Sequence, residues 1–497
     1  MNHGFRWTWA LGMLAAALQA CGGDDDDVMG GTDAGVDTGA PDTGAPDTGT
    51  PDTGTPDTGT PDTGAPDTGA PDTGTPDTGA PDTGMPDAGP RCPAIGERTV
   101  VEVRSDITAD TTWTCRNLYR IGAQVFVGSS DPSRPATLTI EPGTVIQGTS
   151  GSNALIVTTN GRIMAQGTRE LPIVFTSAQA RPAPGDWGGV VLLGRAPVNY
   201  PGGSQGIEGL PSVEGRGRFG GTDPMHDCGT LRYVRIEFAG FELSMDNELN
   251  ALTVGGCGSR TVLEYIQTHK GSDDGIEFFG GTADLRYALI TGPGDDGLDW
   301  EGGWTGRAQF VVVQQHSGAG NSGVEADNLN MADDAMPRSE PRIWNVTLLG
   351  VRDPGEAGAG IRLRRGTAGH LHNVVVSGFT HSCVRVESMA SDAAITAGTL
   401  EVRNGILHNC GPDPGTTFLA GAAARFMTGY DLRTGVDPRL RDAWNPTRPD
   451  FRPMSDSPVT MDAATPPSGG FFDMSATYLG AVAPTGTPWY EGWTAFP

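Results

Sequence analysis

The amino-acid sequence predicts an all-β fold, a right-handed parallel β-helix solenoid with capping segments, preceded by a disordered Pro/Asp/Thr/Gly tether. Three observations carry this expectation. Seven short β-branched segments between residues 231 and 405 share one internal layout. The third residues of those segments form columns of like side chains. Ten pentapeptide units, nearly all Ala/Thr-Pro-Asp-Thr-Gly, fill residues 40–89 and separate the segments from an N-terminal export signal.

The N-terminus comes first. Arg6 supplies a small positive region and residues 7–18 a short apolar run. A bilayer span needs about 20 residues, so residues 1–20 read as a signal peptide. Leu18-Gln19-Ala20-Cys21 resembles a bacterial lipobox, in which the cysteine is acylated and becomes the first mature residue. An ordinary cleavage site would place a small residue where Leu18 stands. Gly22 and the run Asp24, Asp25, Asp26 and Asp27 follow, a pattern similar to that of lipoproteins sent to the outer membrane. The expectation is a chain anchored through Cys21 to the outer membrane of the cell envelope, with its folded part exposed at the surface.

Residues 21–90 form the tether. Sixteen aspartates and no lysine or arginine lie between Gly22 and Pro90. Low hydrophobicity and high charge leave chain entropy unopposed, so no core forms. Proline in every unit favours extended backbone, and glycine in every unit restores hinges. At ~3.1 Å per residue the repeat reaches at most ~155 Å. Isolated aspartates five apart lack the clustered oxygens that calcium needs. The job of this segment is reach.

Residues 91–497 carry the remainder. The net charge of −27 divides into +1 from Arg6, −16 from the tether and −12 from this part. That balance argues against nucleic acid as a partner. Beyond Cys21 there are six cysteines, an even count that reads as disulfides in an exported chain. Fifteen pairings are open, and the cysteines fall into three sequence-local pairs: Cys92–Cys115, Cys228–Cys257 and Cys383–Cys410. No pair has the spacing of a redox or zinc motif.

The segments Leu231-Arg232-Tyr233-Val234, Leu263-Glu264-Tyr265-Ile266, Leu285-Arg286-Tyr287-Ala288 and Ala308-Gln309-Phe310-Val311 share one register. Ile343-Trp344-Asn345-Val346, Leu371-His372-Asn373-Val374 and Val402-Arg403-Asn404-Gly405 continue it. Successive starts lie 22 to 35 residues apart, a short repeat with loops added. A parallel β-helix sets each turn ~4.8 Å above the last, so like side chains meet. The aromatic column, Tyr233, Tyr265, Tyr287 and Phe310, is expected to stack in the core. The asparagine column, Asn345, Asn373 and Asn404, is expected to bond to itself and to the turn backbone. The solenoid is placed at 138–410, with 91–137 as N-terminal cap and 411–497 as C-terminal cap covering the open edge.

This layout resembles the pectin-lyase-like β-helix superfamily, and more closely a group of uncharacterised bacterial surface lipoproteins. The resembling segments are 138–148, 185–194 (with Asp186-Trp187-Gly188-Gly189), 247–253, 273–281, Tyr478-Leu479-Gly480-Ala481 and Gly492-Trp493-Thr494. The resemblance spans nearly all of 97–497. It implies a fold and a location, and no established activity.

The strongest chemical signal is a motif repeated at 22 residues: Asp273-Asp274-Gly275-Ile276-Glu277, then Asp295-Asp296-Gly297-Leu298-Asp299, with a weaker copy at Asn321-Ser322-Gly323-Val324-Glu325. In the solenoid register the copies sit above one another. Two carboxylates ~4.8 Å apart repel by ~0.9 kcal/mol in water and ~3.5 kcal/mol at an effective dielectric near 20. The column Glu277, Asp299, Glu325 runs on to Arg362 and Arg385, acid below and base above. No arginine continues the columns of Asp273, Asp274, Asp295 and Asp296 in the sequence, which makes Ca²⁺ their candidate neutraliser. The plainer reading, preferred here, is that these aspartates cap loop backbone and need no metal.

Asp274, Asp295 and Asp296 are also the candidate catalytic residues. Their placement is similar to that of the acidic groups of polygalacturonase-type hydrolases, one acting as acid and others activating water. The departures are an absent Gly-His-Gly segment, with only His316 in His-Ser-Gly downstream, and a loose match at Arg362-Leu363-Arg364. A lyase would need Ca²⁺ and a base such as Arg362 or Arg385. His370 and His372 alternate on one strand and share a face, but no third ligand is visible. The stretch 199–229 is too long for a turn and is expected to cover one flank, the alternative being a binding lid. The functional expectation is a surface for binding or structure at the envelope, towards glycans or a cell-surface protein. The alternative is a polysaccharide-active hydrolase or lyase.

Overall fold

In a computed structural model of the chain, almost every strand pairs parallel to the strand one coil away. Residues 92–497 are described, apart from 211–214, 245–246, 352–357, 412–415 and 418–428. The signal peptide, Cys21 and the tether lie outside the described residues. Two ladders dominate, one of fifteen strands and one of ten. The register follows the sequence columns: Leu263 pairs with Leu285, Leu285 with Ala308, Ala308 with Ile343 and Ile343 with Leu371. This is a parallel β-helix.

The third position of each segment is a corner. Strand Gly229–Glu237 pairs with Gly161–Gln166 up to Arg232 and with Ile173–Ser177 from Val234, so Tyr233 marks the bend between two faces. All seven column residues have left-handed backbone, with φ from 51° at Tyr233 to 63° at Phe310. This conformation costs an L-residue roughly 1–2 kcal/mol, and asparagine tolerates it best. The aromatic members recover part of that by stacking, at 4.4 Å for both tyrosine pairs and 4.9 Å for Tyr287 on Phe310.

Two expectations about this column need correction. The three tyrosines are half-buried on the outer side of the bend, not in the solenoid interior, and Trp493 meets Tyr233 and Tyr265 edge-on. The asparagines bond not to one another but to the C-terminal segment. Asn345 donates to the carbonyls of Ala476 and Tyr478, Asn373 to Ala464 and Asn404 to Asp462. Each corner side chain is thus held from outside.

The interior is a continuous apolar column reaching from Ile107 to Tyr430, built from the inward members of each strand, such as Ile276, Leu298, Val324, Ile361 and Val384. Burying each such side chain stabilises the fold by about 1.5–3 kcal/mol. The three disulfides form as paired by proximity: Cys92–Cys115, Cys228–Cys257 and Cys383–Cys410.

The ladder is longer than the 138–410 span. It begins with Thr99–Val103 pairing Asn117–Ile121, inside the segment expected to be a cap, and ends at Leu432–Thr434. The C-terminal segment does more than close an end. From Asp462 beside Asn404 it runs back along the fifteen-stranded sheet to Ala495, which exchanges two hydrogen bonds with Gln267. The Pro497 carbonyl then meets His269 and Lys270. It is a strap laid along the solenoid.

Candidate functional site on the acidic flank

The repeated acidic motif lies where the ten-stranded sheet begins each coil. Gly275 and Gly297 allow neighbouring coils to approach closely. A Cβ at Gly275 would sit 2.7 Å from the Gly297 carbonyl, and one at Gly297 would sit 2.6 Å from that of Gly323. With the coils this close, Asp274 Oδ1 accepts the backbone N–H of Asp296 at 2.9 Å, and Asp296 Oδ1 accepts that of Ser322. Both aspartates are almost fully buried. They cap the backbone of the next coil.

The following strand alternates. Ile276 and Phe278, like Leu298 and Trp300, point into the core. The register stacks the outward residues as Thr253, Glu277, Asp299, Glu325, Arg362 and Arg385. A second charged series two residues on was missed from sequence: Glu301, Asp327, Arg364 and Glu387. The alternation of outward positions would have found it, because each member stands two places after one already singled out.

The two ends of this flank differ. At the basic end every acid has an arginine. Arg362 contacts Glu325 at 2.6 Å and Glu387 at 3.1 Å. Arg364 grips Asp327 with two bonds, of 2.9 and 2.7 Å, and also meets Glu325. Arg365 adds 2.7 Å to Asp327. At the acidic end Glu277 takes a hydrogen bond from Asn250, and Glu301 takes one from the Tyr200 hydroxyl. Burial, followed by repulsion from neighbouring carboxylates, holds Asp274, Glu277, Asp296 and Asp299 well above the ordinary carboxylate range. Burial also raises Glu301, against the pull of Tyr200, Arg365 and Arg364.

Residues 199–210 and 215–229 include the cover of this acidic end. Asn199 bonds Asn328 at 2.8 Å, and Phe219 packs into the space left by the missing side chain of Gly255. Beneath it is a cavity of about 270 Å³ lined by Tyr200, Asn250, Asp274, Glu277, Phe279 and Glu301, among others. One buried oxygen of its lining lacks a partner, Asn250 Oδ1, on a residue only 4% exposed; Asp299 Oδ1, one coil on from Glu277, lacks one as well.

The four aspartates proposed as ligands do not form one group. Asp273, Asp274 and Asp295 bring oxygens within 4.8 Å of one another, whereas Asp296 groups with Asp299 and Glu325. The set Asp274, Glu277 and Asp299 meets the same limit. Glu277 of this set accepts a hydrogen bond from Asn250, whose own side-chain oxygen is orphaned. Hard oxygens of this kind fit Ca²⁺. Among the catalytic candidates, Asp274 and Asp296 are buried and engaged, and Asp295 is exposed. His316 does not join them: its ring lies 6.0 Å from His269.

The family model of the pectate-lyase-like β-helix domain matches residues 105–418, and the chain belongs to that family. No curated protein and no solved structure matches it.

Proposed function

We propose that the protein is an outer-membrane-anchored β-helix lipoprotein that presents its solenoid as a binding surface towards glycans or a partner protein, with Ca²⁺ held at the acidic end of the flank. The observation that carries this reading is the use of Asp274 and Asp296. Their carboxylates accept backbone N–H groups of the next coil and are buried there. A general base must instead reach a substrate proton from an open groove. Support for the ion is the set Asp274, Glu277 and Asp299 beside the unpartnered Asn250 oxygen.

The test has two arms. Fractionation of cells expressing the full chain should place it in the outer membrane, and Cys21→Ser should release it; a soluble unmodified chain overturns the anchor. Immobilised glycans and envelope extracts should retain the full chain in a Ca²⁺-dependent way, and Glu277→Gln should weaken that retention at least tenfold. Retention indifferent to both chelator and Glu277→Gln removes the flank from the binding role.

One observation favours the hydrolase alternative. A carboxyl group held above its ordinary range, as burial holds Asp274 and Glu277, is what a general acid requires. Bond cleavage abolished by Asp274→Asn would support it.

A further inference from the structure

The fifteen-stranded sheet carries a second group of titratable side chains, away from the acidic flank. His370 and His372 stand two apart on strand Gly369–Ser377, on the face that Leu371 does not share. The next coil, strand Leu400–His408, sets Glu401 opposite His370 and Arg403 opposite His372. This supplies the third group that the linear sequence hides 29 residues downstream.

The three meet at one atom. Glu401 Oε1 lies 3.0 Å from His370 Nδ1 and 3.2 Å from His372 Nε2. In a tetrahedral site with metal–ligand bonds of about 2.0–2.2 Å, adjacent donor atoms stand about 3.3–3.6 Å apart. The two observed separations are therefore close to the edges of a metal polyhedron. The far nitrogens face acceptors: His370 Nε2 lies 3.5 Å from Glu340, and His372 Nδ1 lies 3.5 Å from Asn404 Oδ1. Asn404 is oriented, because its amide nitrogen donates to the Asp462 carbonyl. When each ring carries its proton on the far nitrogen, the near nitrogens turn lone pairs towards Glu401 Oε1, and the three ligand atoms all lie within 4.8 Å of one another.

The surroundings suit an ion. Arg403 donates to Glu401 Oε2 at 2.6 Å, leaving Oε1 for the metal. Trp344 stacks on His372 at 4.3 Å and fixes its plane. Such outer contacts orient ligands in metal sites. The side chains of His370, His372 and Glu401 are 24%, 14% and 14% exposed, so an ion can enter and water can complete the coordination. Two imidazoles and one carboxylate select a transition ion over calcium.

We propose that His370, His372 and Glu401 form a Zn²⁺ site linking consecutive coils, with one coordination position open to water.

The test is a Zn²⁺ titration, by calorimetry, of the full untagged chain after dialysis against chelator. One equivalent should bind here. Glu401→Gln and His372→Gln should each weaken that equivalent at least tenfold while keeping the unmodified circular dichroism, and Asp296→Asn should leave it unchanged. Equal binding by the unmodified chain and the folded Glu401→Gln and His372→Gln chains overturns the site, as does no saturable binding, in which case a proton holds the cluster. If a variant fails to fold, Co²⁺ added to the unmodified chain decides. Intense visible bands of a four-coordinate ion support the site, and the weak spectrum of hydrated Co²⁺ overturns it.

Discussion

Asp299→Asn tests the electrostatics of the acidic flank. Asp299 sits between Glu277 and Glu325 in one column, and its Oδ1 has no partner. At a coil spacing of ~4.8 Å and an effective dielectric near 20, each fully charged neighbour repels it by ~3.5 kcal/mol. Protonation relieves part of this, since burial and Glu277 raise the Asp299 carboxyl well above its ordinary value. A net release of about 1–3 kcal/mol is therefore expected from an uncharged amide of the same shape. At about 2.1 cal/mol/K per residue, a folded part of roughly 400 residues gains about 1–4 °C in Tm from that release.

The pH dependence follows from the direction of the shift. The folded chain holds this proton more tightly than the unfolded chain. Stability from this group therefore falls as pH rises from the ordinary value of 3.8 through the raised folded one, and is level above it. Thermal melts in chelator should show Asp299→Asn more stable than the unmodified chain at pH 8, with the difference shrinking at pH 5. Calcium should stabilise the unmodified chain more than the variant. A variant less stable than the unmodified chain at pH 8 without calcium would refute the reasoning, because the carboxylate would then be making a favourable contact.

Three further perturbations probe the rest of the molecule. Arg364→Ala leaves Glu325 and Asp327 short of their shared partner and should lower stability by about 3 kcal/mol in denaturant unfolding; a change under 0.5 kcal/mol would mean that Arg362 and Arg365 suffice. Replacing Cys228 and Cys257 together by alanine opens a loop of 29 residues and should cost about 3.6 kcal/mol, read from the same unfolding curves. Deleting residues 491–497 removes Trp493 from Tyr233 and Tyr265 and the Pro497 carbonyl from His269. Burial pushes the His269 imidazole down to about 4, and NMR titration of the shortened chain should find it back towards 6.5.

Much of this was legible in the sequence, for a physical reason. A parallel coil stacks each residue on its equivalent, so periodic spacing gives register directly, and Glu277, Asp299, Glu325, Arg362 and Arg385 fall into one column. The left-handed bend at Tyr233 was hidden, because like-on-like stacking is equally compatible with a straight strand. The strap was hidden as well: nothing local in Ala464 or Ala495 says that Asn373 or Gln267 will receive it. Glu401 escaped notice because ligand spacing was sought along the strand, while in a solenoid the third ligand comes from the next coil.

Incubating the full chain with Ca²⁺ and a panel of acidic and neutral polysaccharides, with products read by mass spectrometry, tests most directly whether the acidic columns serve structure and binding rather than cleavage. Intact polysaccharides are expected from a chain whose Asp274 and Asp296 cap the next coil. Cleavage products that disappear with Asp296→Ala, in a variant that still folds, would contradict it.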